Sequence, residues 1–281
     1  MKKKKVVRKA VASKKVVASK KEVVVDVNRL RLSFSGADTY LRCGKQYQFR
    51  YVDGLKEPPK IVMIEGSSHH KSLEMNNLSK RDKGSDMHPT QLTDIFMDDF
   101  RTRIAKEQEE KKAKADWGGE TEDSIFSRAK VLHLRYIQDI APGIHPVEAE
   151  RKFELPFTSN GVNVLLTGVC DLELDKAIFD YKTVSKSKGQ NEVDNSLQLS
   201  LYSWATKKRV VGIIELLKTA NPHVGLLQSV RTPQQVMWAL QVVAEAARSI
   251  QAGVFPLSSP SAWNCSAKWC GYWSRCRGKS Q

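Results

Sequence analysis

The chain has 281 residues, 41% hydrophobic and 8% aromatic, enough for a packed core in one large domain or a domain with an appended piece. No apolar run approaches the ~18 residues of a membrane-spanning helix, so a soluble, cytoplasmic protein is expected. The formal charge of +15 favours a polyanionic partner, nucleic acid being the commonest, although ten of those charges fall in residues 1–21, which hold no acid.

Residues 1–27 repeat Lys-Lys-Val-Val and Ala-Ser-Lys-Lys units and read as a disordered basic arm with non-specific affinity for phosphate, or as a solubilising tail. Residues 33–52 predict a helix opened by Ser33 or Ser35, with Tyr40, Tyr47 and Tyr51 on one side and Gly54 and Pro58-Pro59 beyond its end. After the apolar run 61–64, residues 66–74 predict the start of a second helix, with His70 and Glu74 on one face. A polar loop is expected over 80–91, a charged helix over 92–116 with Leu92, Ile95, Phe96 and Ile104 inward, and another over 123–139.

The character changes at Pro142-Gly143. Residues 146–157 alternate like a strand, Asn160-Gly161 is a hairpin signal, and the return strand runs through 162–174. A third strand is expected over 177–182 and a polar loop over 183–194. A helix then carries Gln198 and Tyr202 one turn apart, with Glu148 and Glu150 sharing a face of the earlier strand. Two more strands flank Asn221-Pro222, and Thr232-Pro233 opens a last helix to about 252. The Cys- and Trp-rich tail has little helical period. Five cysteines, at 43, 170, 265, 270 and 276, without a secretory signal argue for a reducing compartment, and three within twelve residues suggest a metal or cluster site.

Strand alternation puts Asp180 and Lys182 on one face and Tyr181 on the other, and the preceding hairpin brings Asp171 to the same edge. Two carboxylates and a lysine converging there are the chemistry of a divalent-metal site with a cation beside it; turn acids with a surface lysine would leave the same pattern.

The ordered set Gly66-x-x-x-His70-x-x-Leu73-Glu74, Glu150 with Phe153, Gly168 with Asp171, Asp180-Tyr181-Lys182-Thr183 and Gln198-x-x-x-Tyr202 resembles the PD-(D/E)XK nuclease superfamily. It looks most similar to the RecB-like branch that includes AddB and the CRISPR-associated iron–sulfur exonucleases, over residues 33–276. The resemblance implies a restriction-endonuclease-like α/β fold, a central mixed sheet flanked by helices, within 28–281: a helical part at 33–140, a catalytic core at 146–252 and a cluster-binding tail at 260–277. It also implies a Mg²⁺- or Mn²⁺-dependent DNA exonuclease of recombination, repair or degradation, with His70, Glu150, Asp171, Asp180 and the Tyr181 carbonyl as metal ligands. Lys182 would be the catalytic cation, positioned by Gln198 and Tyr202.

Cys43, Cys265, Cys270 and Cys276 would hold a [4Fe-4S] cluster, with four residues between the second and third where the branch commonly has two; thiolates so spaced also serve Zn²⁺. Cys170 is expected to be an ordinary core residue. Single-stranded or frayed DNA ends are the expected substrate, in a bacterial or phage-infected cell, and the lack of a helicase motif assigns any unwinding to a helicase or recombination partner. An endonuclease or RNA-processing nuclease on the same fold, and a non-catalytic nucleic-acid-binding protein with a structural zinc site, are the rival readings.

Overall fold

A computed structural model describes residues 29–57 and 59–277, so the basic arm expected over 1–27 lies outside the described residues. The chain opens with strand β1 (Leu30–Ser33), where no strand was expected, and enters α1 (Phe34–Arg42) with the Ser33 side chain accepting from the Gly36 N–H. The single helix expected over 33–52 is broken at Cys43, whose backbone is extended (φ −164°, ψ 105°). It resumes as α2 (Gly44–Tyr47) and a π-helical turn at Gln48–Val52. Pro256 packs against Gly44, where a Cβ would come 2.5 Å from the proline ring.

Helix α3 (Ile61–Lys83) begins five residues before the expected start, because Ile61 and Ile64 are buried at helical spacing while Val62 and Met63 face outward. The loop expected over 80–91 is correspondingly short. Helix α4 (Pro89–Lys111) starts on a His88 cap, and α5 (Glu122–Arg135) on a Thr121 capping box, continuing as a π turn over Tyr136–Ile140.

β2 (Glu148–Ser159) and β3 (Val162–Glu173) form the expected hairpin, with Asn160 and Gly161 both at positive φ (50° and 77°) as a tight turn of this kind demands. β4 (Ala177–Val184), the short α6 (Gln190–Asp194) inside the expected loop, α7 (Leu197–Thr206) and β5 (Val210–Leu217) make a parallel crossover unit. β6 (His223–Val230), α8 (Pro233–Gln251), a turn-rich tail and α9 (Trp273–Arg277) complete the chain.

The mixed sheet has the order β1-β3-β4-β5-β6, with β2 paired to β3. One face is covered by α1, α7 and α8 around Val164, Leu166, Ile213 and Val243; the other carries α3, α4 and α5 over Leu172, Phe179, Ile214 and Leu216. No described helix is long and apolar enough to cross a membrane.

The ladders set up the site. Along β3, β2 runs beside the whole strand, β1 pairs with Val164–Thr167, and β4 pairs with Leu172 and Glu173 only. β3 and β4 therefore part just where Asp171 and Asp180 would form the next pair. The β2–β3 ladder also omits Glu150 opposite Asp171, and Glu150 has the left-handed φ of 51°. Cys170 packs on one face and Leu172 on the other, although strict alternation would put both on the same side. The change of face falls at Asp171.

Candidate active site

Glu150, Asp171 and Asp180 thus stand in register on three adjacent strands where both ladders lapse. A non-glycine residue in the left-handed region costs on the order of 1–3 kcal/mol, and Glu150 is held there directly across from Asp171. With its ladder partner gone, the Tyr181 N–H donates to Asp171 Oδ2 at 2.8 Å, so a carboxylate takes over from a backbone carbonyl. From α3, His70 Nδ1 approaches the same oxygen at 3.3 Å. One donor atom from each of His70, Glu150 and Asp171 lies within 4.8 Å of the others. An imidazole and two carboxylates at this spacing suit a hard divalent cation such as Mg²⁺ or Mn²⁺.

The electrostatics agree with that donor set. Burial, reinforced by the Asp171 charge, pushes the Glu150 carboxyl up to about 7. Burial opposes the charged form of His70, but the hydrogen bond and charge of Asp171 leave its pKa above the ordinary value. Both groups bind a proton more tightly than usual at a place where a cation would relieve the crowding of negative charge.

Asp180 is turned to the other half of the site. Its Oδ2 meets Lys182 Nζ at 2.6 Å, and its Oδ1 accepts from Gln198 Nε2 at 2.7 Å. Lys182 Nζ in turn donates to Gln198 Oε1 at 3.1 Å, and the Tyr202 hydroxyl accepts from Gln198 Nε2 at 2.8 Å. Gln198 therefore grips both members of the Asp180–Lys182 pair from α7. Burial works against the Lys182 ammonium, yet the adjacent Asp180 carboxylate raises its pKa above the usual lysine value. Burial likewise holds Asp180 above the ordinary carboxylate range against the pull of Lys182.

Tyr181 points to the opposite face, where its hydroxyl accepts from Asn77 Nδ2 at 2.8 Å and lies 3.0 Å from the Tyr136 hydroxyl. That contact fixes β4 against the helix carrying His70. Of the two strand acids, Glu150 joins the cluster and Glu148 pairs with Arg81 at 3.0 Å. Glu74 stands one turn below His70 and pairs with Lys71 at 2.9 Å.

His70, Glu150, Asp171, Lys182 and Thr183 open into a cleft of about 470 Å³. Val62, Met63, Gly66, Lys71 and Arg103 also line it. Sequence reading passed over all of these except Gly66; Arg103 sits on a charged helix with nothing in its spacing to distinguish it. A Cβ on Gly66 would meet nothing within 4 Å, so this interior helical glycine leaves open space beside the cleft rather than room for a protein neighbour.

The four cysteines gather at a second place. Cys43, at the break between α1 and α2, lines one pocket with Cys265, Cys270 and Cys276 of the tail. Arg277 donates to Cys265 Sγ at 3.4 Å. Among the described residues no three thiol sulfurs fall within 4.8 Å of one another, whereas a tetrahedral zinc bound at ~2.3 Å would draw them to about 3.8 Å. Cys170 is buried in the core, and burial pushes its thiol up to about 12.

A mixed sheet between helical layers, with acids gathered where two strands part, is the restriction-endonuclease-like α/β fold. The family model of the PD-(D/E)XK nuclease superfamily matches residues 31–277, and the chain belongs to that superfamily. Among solved structures it is similar to a candidate exonuclease from Eubacterium rectale, at 14% identity and a TM-score of 0.52, over 89% of this chain and 92% of that one. It also matches SSO0001 at 12% identity and a TM-score of 0.42, over 92% and 90% of the two chains. No curated protein matches the chain.

Proposed function

We propose that the chain is a divalent-metal-dependent exonuclease that hydrolyses DNA from single-stranded or frayed ends. The observation that carries this reading is the meeting of the His70, Glu150 and Asp171 donors within 4.8 Å in a cleft that Lys182 also lines. Those three residues would hold Mg²⁺ or Mn²⁺, with Asp180 and the Tyr181 carbonyl as further ligands. The ion, when bound, acidifies a coordinated water and neutralises charge on the phosphate.

The chain's own residues would do the rest. Lys182 carries its proton at neutral pH, so it acts as a donor and cation, orienting the attacking water and stabilising charge that develops on the phosphate oxygens. Asp180 keeps that ammonium charged. Gln198, braced by Tyr202, fixes the direction in which Lys182 points. Lys71 and Arg103 line the cleft wall paired with Glu74 at 2.9 Å and Asp99 at 2.5 Å, and a phosphate backbone would engage them by taking the place of those carboxylates.

The four-thiol pocket supports placement in the RecB-like, cluster-bearing branch, with a [4Fe-4S] cluster on Cys43, Cys265, Cys270 and Cys276. The setting that fits is DNA recombination, repair or degradation in the cytoplasm, beside a helicase or recombination partner that opens the duplex.

Digestion of matched linear and circular single-stranded DNA with Mg²⁺ tests the mode of action. The linear strand is expected to be degraded and the circle left intact. Cleavage of the circle at a comparable rate would establish the endonuclease reading instead.

A further inference from the structure

The tail presents an aromatic surface that the site chemistry does not use. Trp263 and Trp269 are 65% and 52% exposed, and their rings meet edge to face with centroids 5.9 Å apart. Two such rings side by side make a contiguous apolar patch, which is more informative than apolar side chains exposed singly. Lys268 Nζ lies 5.0 Å from the Trp269 ring centroid, and the Arg277 guanidinium 5.5 Å from that of Trp273. Beyond Glu245 the chain carries five cations and no acid.

The surface adjoins the cleft. Lys60 Nζ donates to the Trp269 carbonyl at 3.4 Å, and Lys60 caps the start of α3. The next residues along α3 are Val62 and Met63, outward-facing and lining the cleft, followed by Gly66 and His70. At 1.5 Å per helical residue, Lys60 lies roughly 15 Å along the axis from His70, about four nucleotides of a stacked strand.

We propose that Trp263 and Trp269 form a stacking platform for single-stranded DNA, which runs from the cleft past Gly66 and over the first turn of α3. Tryptophan rings more than half exposed and interleaved with cations suit a chain of exposed bases joined by phosphates, whereas a paired duplex keeps its base faces hidden. The platform rests on the nuclease reading for its choice of DNA and extends that reading to a second contact area outside the metal site.

The test uses the full chain carrying Asp180→Ala, so that the oligonucleotide is not consumed. A fluorescently labelled 12-nucleotide single strand is titrated at low salt, following its anisotropy and the protein's tryptophan emission. Binding is expected to quench the emission, Trp269→Ala to weaken binding ~5- to 100-fold, and Trp269→Phe, which keeps a stacking face, to restore most of it. A blunt duplex of equal length is expected to bind without that dependence. The proposal is overturned if the alanine variants at 263 and 269 both bind within about twofold of the parent, or if the duplex shows the same tryptophan dependence. Cleavage by the unmutated chain separates the two readings: Mg²⁺-dependent digestion without tryptophan-dependent binding removes the platform alone, and tryptophan-dependent binding without digestion removes the nuclease reading alone.

Discussion

Glu150 combines two costs that a structural surface acid would avoid: a left-handed backbone and a carboxyl pushed up to about 7. The second is relieved if a cation takes the proton's place, and the first holds the carboxyl where that cation would sit. The pH consequence follows from the direction of the shifts. In the metal-free fold Glu150 and His70 bind protons more tightly than in the unfolded chain, so their contribution to stability is present in acid. For Glu150 it declines as pH rises from its ordinary carboxyl range towards 7. Mg²⁺ must displace those protons, so its apparent affinity should rise with pH, up to about tenfold per pH unit for each proton displaced, and the Glu150 part of that rise should level off above about 7. Thermal melts with and without Mg²⁺ at about pH 6 and about pH 8 should show a larger Mg²⁺ stabilisation at the higher pH, and Glu150→Gln should flatten the difference. Equal stabilisation at both values would remove Glu150 from the ligand set. Sequence pattern left Glu148 and Glu150 equivalent, because strand alternation puts them on one face. The backbone reversal at Glu150, which no period of two encodes, is what separates them.

At the scale of elements, the helix carrying His70 was the hardest to read. Besides Ile61, Ile64 and Leu73, the inward face of α3 is built from Glu65, Ser68, His69, Ser72, Asn76 and Asn77, all buried, so the hydrophobic period that normally reveals a core-facing helix is interrupted beyond its first turn. Several of these groups are met by other elements, Glu65 by Arg128 and Lys218, each at 2.8 Å, and Asn77 by Tyr181, while Ser68 Oγ and His69 Nε2 find no hydrogen-bond partner among the described residues. The hairpin was legible because its turn and its alternation are local. The pairing of Phe153 with Gly168 across it explains two of the motif residues together, since a Cβ at 168 would come 2.5 Å from the Phe153 ring. The tail was legible only as a cysteine spacing. Its anchors are long-range contacts, including Tyr272 hydroxyl to the Leu55 carbonyl at 2.8 Å and Asn264 to the Arg42 carbonyl at 3.5 Å. If a cluster fastens this tail to the α1–α2 break, protein purified without air should contain iron and sulfide, and Cys43→Ser should lose the visible absorbance and melt at a lower temperature. A colourless preparation with one zinc per chain would establish the zinc reading.

For the whole molecule, the sheet joins residues from distant parts of the sequence into one notch: His70 from α3, Glu150, Asp171 and Lys182 from three successive strands, and Gln198 from the crossover helix. The order of those residues along the chain was visible in the sequence, and the superfamily it suggested is the one to which the chain belongs. What the sequence could not convey is how the acids divide. Asp171 and Glu150 face the imidazole, while Asp180 faces the lysine, a split decided by where β3 and β4 part. The account's central claim is that this notch hydrolyses phosphodiesters with a divalent metal and Lys182. Its most direct test is digestion of labelled linear single-stranded DNA by the parent chain, Asp180→Ala and Lys182→Ala, each shown to be folded, with Mg²⁺ and with chelator. The parent should degrade the strand only with Mg²⁺, and each variant should fall by at least ~100-fold; parental activity in either folded variant, or undiminished activity in chelator, would contradict the account.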